Sequence, residues 1–304
     1  MLDQLAAIVV SDIVPVFAIA AVGFLLARLL EVNVKALANV VFYALLPCLV
    51  FRLLVTSHMS GPSLGRMAAF SVLVSAAMAT IGLFAARLLR LDRVASSALL
   101  LVVMISNGGN FGLPVVLFAF GPEALAHASV FFVTSALVTN SVGVFIAAAG
   151  RAGARRALLD VARSPVIYAA AAALVIVGLG AAVPVAVMRP VGLLSDAALP
   201  MMILVLGMQL SRVKLPERIA PVAVAVALSL GVAPFVGLGL ASLLGVSGAA
   251  RQAGVLLAAM PVAVITTILA LEFDLAPGFV TATVFVSTAL SPLTLAPLIA
   301  YLSG

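Results

Sequence analysis

Apolar residues run through this chain in long blocks, separated by short clusters of charge, glycine and proline. A helix needs about 20 apolar residues to cross a bilayer core. The blocks predict spans at 11–30, 37–55, 66–89, 95–120, 126–149, 165–183, 191–210, 219–244, 253–271 and 279–302. One block is unlike the others: Ser106 to Pro114 reads SNGGNFGLP in the middle of the run 95–120. Inside a helix Gly costs about 1 kcal/mol and Pro about 3 kcal/mol against Ala, so the fourth span is predicted to break there. Non-helical backbone at bilayer depth survives only where protein buries it or where it lines a cavity. The break is therefore a candidate binding site, made of Asn107, Gly108, Gly109, Asn110, Gly112 and Pro114.

The blocks repeat. At one constant offset, Phe132–Leu137 (FVTSAL) falls on Phe285–Leu290 (FVSTAL), and ALLPCLV around Pro47 falls on AALPMMI around Pro200. This pairs span five with ten and span two with seven. The predicted fold is all-α and polytopic, ten transmembrane helices as a 5+5 inverted repeat: 1–150 is the first half, 151–164 a short linker and 165–304 the second half. Each half has an odd number of spans, so the second enters the membrane upside down, as in many secondary transporters. The partner of span four is then span nine, which carries Met260-Pro261 at its centre, followed by Thr266 and Thr267. Two broken helices crossing near the midplane leave half-helix N-termini with free N–H groups and partial positive charge. Those ends suit an anion, while the C-terminal ends and freed carbonyls suit a cation. A carboxylate cargo coupled to a proton or Na⁺ follows from that chemistry.

NGGNFGLP in span four, the Met-Pro of span nine, ten spans and a 5+5 repeat together resemble the auxin efflux carrier family, which includes the plant PIN carriers and bacterial permeases associated with malonate. The resemblance spans essentially the whole chain. It implies a crossover fold similar to that of the sodium/bile acid symporters, with spans 1, 2, 6 and 7 as scaffold and 3–5 and 8–10 as a moving transport domain. It also implies that Asn107, Asn110 and Pro114 belong to the span-four crossover and Pro261 to that of span nine, with a homodimer through the scaffold helices as a further expectation. Two departures stand out. The long loop of many plant members is absent between Ala149 and Pro165, and Val264-Ile265-Thr266-Thr267 stands where many bacterial members place an asparagine.

Composition narrows the class further. With 65% hydrophobic and 9% charged residues and a mean hydropathy of +1.36, the chain is far from the quarter charged that is typical of soluble domains. The net charge of +6 does not point to nucleic acid, because twelve of the sixteen Lys and Arg fall in alternate loops: Arg28 and Lys35; Arg87, Arg90 and Arg93; Arg151, Arg155, Arg156 and Arg163; Arg212, Lys214 and Arg218. The positive-inside rule places those loops in the cytoplasm and both termini outside, in a bacterial inner membrane. No Lys or Arg precedes Arg28, so the first span is read as permanent rather than as a signal peptide. The single Cys48 offers neither a disulfide nor a metal cluster, and no cofactor is expected beyond the coupling ion. Neither a P-loop nor a GxSxG or HExxH motif is present, which leaves a membrane enzyme a distant third reading.

Among the other polar residues, Asn140 in span five is a candidate cavity residue, while the neighbouring Ser and Thr are expected to bond their own backbone. Asp12 and Asp196 read as caps at helix starts, Arg52 as a snorkelling side chain and His58 and His127 as outer-loop residues; Glu272 and Asp274 are expected to face water. The sequence thus predicts a secondary active transporter of a small organic anion working by alternating access. The alternative is a passive channel or facilitator that uses the same polar break as a constriction.

Overall fold

Helices follow the apolar blocks throughout the computed structural model, which describes residues 6–57, 59–143, 145–146, 165–211 and 219–304. In chain order they are α1 (Ala6–Leu29), α2 (Val34–Thr56), α3 (Gly61–Leu88), α4 (Arg93–Met104), α5 (Gly108–Gly143), α6 (Pro165–Gly178), α7 (Val185–Leu210), α8 (Ala220–Leu243), α9 (Gly248–Ala258), α10 (Ile265–Glu272) and α11 (Pro277–Ser303). No strand occurs among the described residues, only an isolated antiparallel bridge between Ser106 and Val262. The sequence predicts ten spans; among the described residues seven helices are long and apolar enough to cross a membrane, namely α1, α2, α3, α5, α7, α8 and α11. The protein is an all-helical integral membrane protein.

Local chemistry sets the helix ends. Asn33 caps α2 by accepting from the Ala36 N–H at 3.1 Å, and Asp92 caps α4 by accepting from the Ala95 N–H at 2.8 Å, each satisfying a donor that has no intrahelical partner. Proline in the first turn opens α3 and α11, where its fixed φ fits and its missing N–H costs nothing. A residue with positive φ closes α3, α6, α8 and α10: Arg90, Gly180, Gly245 and Asp274 respectively. In each case the next N–H reaches back to a carbonyl five residues earlier, as Leu91 does to Ala86 at 3.0 Å.

Packing divides the helices into two groups. α1, α2, α6 and α7 pack on one another, and α3, α4, α5, α8, α9, α10 and α11 form a second set, the two meeting mainly through α5 against α1, α2 and α7. Within the first group two helices meet backbone against backbone. A Cβ on Gly207 of α7 would overlap the Ala20 carbonyl oxygen of α1, and one on Gly23 would overlap the carbonyl of Leu204.

Several expectations need correction. The runs 95–120 and 126–149 meet without a loop between them: α5 comprises two helical segments joined at Gly121, whose φ of 78° takes the chain out of helical geometry for one residue before Pro122 opens the second. His127 is consequently buried inside α5 rather than in a loop, and His58 lies outside the described residues. Asp12 lies within α1 rather than at its start, accepting from the Ser11 hydroxyl at 2.6 Å. Asp196 sits mid-way along α7 because that helix begins at Val185, not 191. It pairs with Arg52 of α2 at 2.5 Å, and Arg52 also donates to the Gly192 carbonyl at 3.3 Å. Cap and snorkel are thus one interhelical ion pair. The linker 151–164 and the basic residues Arg212, Lys214 and Arg218 lie outside the described residues.

Candidate functional site

The fourth and ninth blocks both lose helical geometry, and they do so against each other. α4 ends at Met104 and α5 begins at Gly108; α9 ends at Ala258 and α10 begins at Ile265. Each break strands backbone groups that hydrocarbon cannot satisfy, and the two breaks satisfy one another. The Asn107 N–H donates to the Pro261 carbonyl at 2.7 Å and the Ala263 N–H donates to the Ile105 carbonyl at 3.0 Å. Side chains close the rest. The Ser106 hydroxyl donates to the Leu257 carbonyl at 3.0 Å, covering the C-terminal end of α9, and the Val262 N–H donates to the Ser287 hydroxyl of α11 at 3.1 Å.

The break in the fourth block is narrower than the nine-residue motif suggests. Only 105–107 are non-helical; Gly108, Gly109, Asn110 and Gly112 form one widened π-type turn and Pro114 lies in the first turn of the α-helix that follows. Gly112 tolerates no side chain here: a Cβ would overlap Leu257 and sit 3.2 Å from both the Asn107 carbonyl and the Met260 side chain. With that space free, the Gly112 N–H donates to the Asn107 carbonyl at 2.9 Å and the helix restarts at once. Gly109, Asn110 and Phe111 then head α5, where N–H groups have no intrahelical acceptor.

The eleven residues named from the sequence divide as follows. Asn107, Gly108, Gly109, Gly112, Pro114, Met260, Pro261 and Thr266 are buried around the paired breaks, and Asn110 and Thr267 are half-buried. Asn107 is 5% exposed and its Nδ2 has no hydrogen-bond partner among the described residues, an open donor beside the bridge. The Thr266 hydroxyl donates to the Ala263 carbonyl at 2.7 Å. Asn140 is half-buried in a second widened turn of α5, Thr139–Gly143. Most nearby hydroxyls bond their own helices: Thr134 to Val130, Ser141 to Leu137, Thr288 to Val284 and Ser291 to Thr288.

A cavity of about 1530 Å³ opens at one end of the bundle, between the start of α2, the α3–α4 turn, the end of α7, the start of α8 and α10–α11. Its wall includes Val264 and Thr267, so it reaches the α10 side of the paired breaks, but it does not include Asn107, Asn110, Asn140 or Pro261. Its polar lining consists mainly of Lys35, Asn39, Arg90, Asp92, Gln209 and Thr281, none of them among the candidate residues that the sequence pattern singles out. The Gln209 Oε1 is buried without a partner among the described residues, and a lone amide in the last turn of an apolar helix was the signal available in the sequence.

Paired broken helices inside an apolar helical bundle, with a solvent-reaching cavity ending at the break, mark a membrane transport protein. The chain matches the family described as membrane transport protein over residues 8–157 and 151–299, and it belongs to that family, the auxin efflux carriers. Two archaeal proteins, both uncharacterized transporters, are similar along most of their length. That of Methanocaldococcus jannaschii is 24% identical over 274 residues, covering 88% of this chain and 89% of its own. That of Methanothermobacter thermautotrophicus is 27% identical over 268 residues, covering 87% and 88%. The chain is a transporter and not an enzyme.

Proposed function

We propose that the protein is a secondary active transporter of a small organic anion, a carboxylate of the malonate or auxin-like type, coupled to a proton or Na⁺ and working by alternating access in the inner membrane. The observation that carries this reading is the pair of mutually bonded breaks at 105–107 and 261–263 with the Asn107 amide donor left open beside them. The head of α5 supplies further N–H groups and partial positive charge at the same place, the environment a carboxylate needs. α1, α2, α6 and α7 are the scaffold in this reading, and the remaining helices move against it, with dimerisation through the scaffold. A cavity that reaches the α10 side of the break and stops short of the buried Met260 and Pro261 favours a carrier over a continuous pore.

The ten-span inverted repeat belongs to the same proposal. At 1.5 Å per residue the 36 residues of α5 would extend about 54 Å, against a hydrocarbon core of about 30 Å. Dividing it at Gly121 gives two segments. The first completes the short α4 as one broken span, just as α9 and α10 complete another, and the total becomes ten. Orientation follows from Lys35 and Arg90: the end where the cavity opens is cytoplasmic and the termini lie outside.

Proteoliposomes test the reading directly. Labelled malonate, succinate, acetate and indole-3-acetate are offered with and without imposed proton and Na⁺ gradients. Accumulation of at least one above equilibrium, abolished when the gradient is collapsed, is expected. Movement that only equilibrates would replace the carrier by a facilitator.

A further inference from the structure

Among the described residues four helices end with the same left-handed turn, and they differ in the residue that makes it. α6 and α8 use Gly180 and Gly245, with φ of 62° each. α3 and α10 use Arg90 and Asp274, with φ of 53° each, and Ala276 adds a third non-glycine at 43°. A Cβ disfavours this conformation, so glycine is the expected residue at all four. Both non-glycine turns lie at the cavity end of the bundle, and Arg90 and Ala276 line the cavity itself. The two glycine turns line no part of it. Strained backbone is retained where a side chain is needed, and at Arg90 that side chain is a cation.

A second cation stands on the wall formed by α2. Lys35 lies in the first turn of that helix, and Asn39, one turn further in on the same face, also lines the cavity. Among the described residues neither Lys35 nor Arg90 makes an ion pair. Among the described residues, the remaining charged group lining the cavity is Asp92, whose carboxylate is held by the Ala95 N–H as the cap of α4. The polar groups beyond the mouth, Asn39, Gln209 and Thr267, are neutral.

Resting on the organic-anion reading above, we propose that Lys35 and Arg90 form an anion-recruiting subsite at the cavity mouth, which captures the cargo carboxylate and passes it to the amides of Asn39 and Gln209. Two cations against one carboxylate, itself engaged as a helix cap, leave the described lining net positive. A cleft with an excess of one sign raises local counter-ion concentration and entry rate, an effect that fades with ionic strength. The subsite therefore governs apparent affinity from the mouth side and its salt dependence, not the maximal rate.

The test exploits the turn. Arg90→Gly removes the guanidinium while giving the backbone the residue it prefers, so the melting temperature holds or rises. Lys35→Gln removes the ammonium from an exposed first turn. In phosphatidylcholine vesicles at low salt, whichever of the four labelled anions wild type transports should show a KM about tenfold higher in Arg90→Gly or Lys35→Gln at similar maximal rate. The salt dependence of KM should flatten, and Arg90→Lys should recover most of the lost affinity. Unchanged KM and salt dependence in both variants overturns the proposal while leaving the carrier reading intact. A KM shift that appears only when phosphatidylglycerol is added overturns it in favour of a lipid-headgroup site. If wild type moves none of the four anions, the organic-anion reading falls and takes the subsite with it.

Discussion

Ser287 lets the two-break arrangement be tested through one hydroxyl. It is fully buried on α11, donates to the Val284 carbonyl of its own helix and accepts from the Val262 N–H at 3.1 Å. Val262 is itself fully buried. Ser287→Ala removes the acceptor and leaves a buried backbone N–H unsatisfied, at a cost of about 1–3 kcal/mol. Ser291 is the internal control, equally buried one turn along and bonded only to the Thr288 carbonyl of its own helix. Ser291→Ala strands no donor and should cost about 1 kcal/mol or less. At about 2–4 °C per kcal/mol for chains approaching this size, Ser287→Ala should melt about 2–12 °C below wild type and clearly below Ser291→Ala. The chain has no Trp, so unfolding is best followed by a thiol-reactive dye reporting on the single, half-buried Cys48. Uptake per folded molecule should fall further in Ser287→Ala than in the control. Identical melting of the two variants would refute the idea that α11 holds the span-nine break in place.

Four more outcomes follow from the geometry. Asn107→Ala should lower apparent cargo affinity about tenfold, the 1.4 kcal/mol of one polar contact, with the melting temperature near wild type because Nδ2 has no protein partner to lose; uptake kinetics and the same dye decide this. Pro261→Ala restores an N–H and relaxes the break, so it should melt at or above wild type yet transport little. Gly207→Ala forces a Cβ against the Ala20 carbonyl and should destabilise by at least the roughly 1–3 kcal/mol typical of overpacking, about 2–12 °C or more in the melt. The Arg52–Asp196 pair has side chains 38% and 70% exposed, so a double-mutant cycle with Arg52→Met and Asp196→Leu should return a coupling below about 1 kcal/mol that shrinks with salt.

What the sequence made legible was the chemistry that violates the apolar pattern. Gly, Asn and Pro at 106–114 and Met260-Pro261 located both breaks, because those residues are costly in a helix whatever surrounds them. The width of the first break was not legible. Propensity treats Gly108–Gly112 as helix-breaking, whereas the absent Cβ at Gly112 lets Leu257 and Met260 pack there, and the Asn107 carbonyl restarts the helix. The Arg52–Asp196 pair joins residues 144 apart, a separation that local pattern does not encode, so each looked like an isolated surface charge. His127 was misplaced because Gly121-Pro122 resembles a loop, while one left-handed glycine makes the whole turn. Lys35 and Arg90 were hidden by a sufficient explanation: membrane orientation accounts for basic residues at these helix ends, so nothing in the sequence demanded a second role.

The backbone contact between α1 and α7 has a mechanical meaning. Where helices meet through a layer of side chains, small rearrangements of that layer let one slide past the other. At Gly207 and Gly23 that layer is missing, since carbonyl oxygen lies where a Cβ would stand. Advancing either helix by one residue, a rise of about 1.5 Å, would bring a neighbour such as Leu206 or Met208 into the place of Gly207. The pair therefore has a single permitted register and behaves as a fixed post. In the alternating-access cycle proposed above, displacement is taken up where α5 meets α1, α2 and α7, and a covalent cross-link between α1 and α7 should leave turnover intact where one between α5 and α2 arrests it.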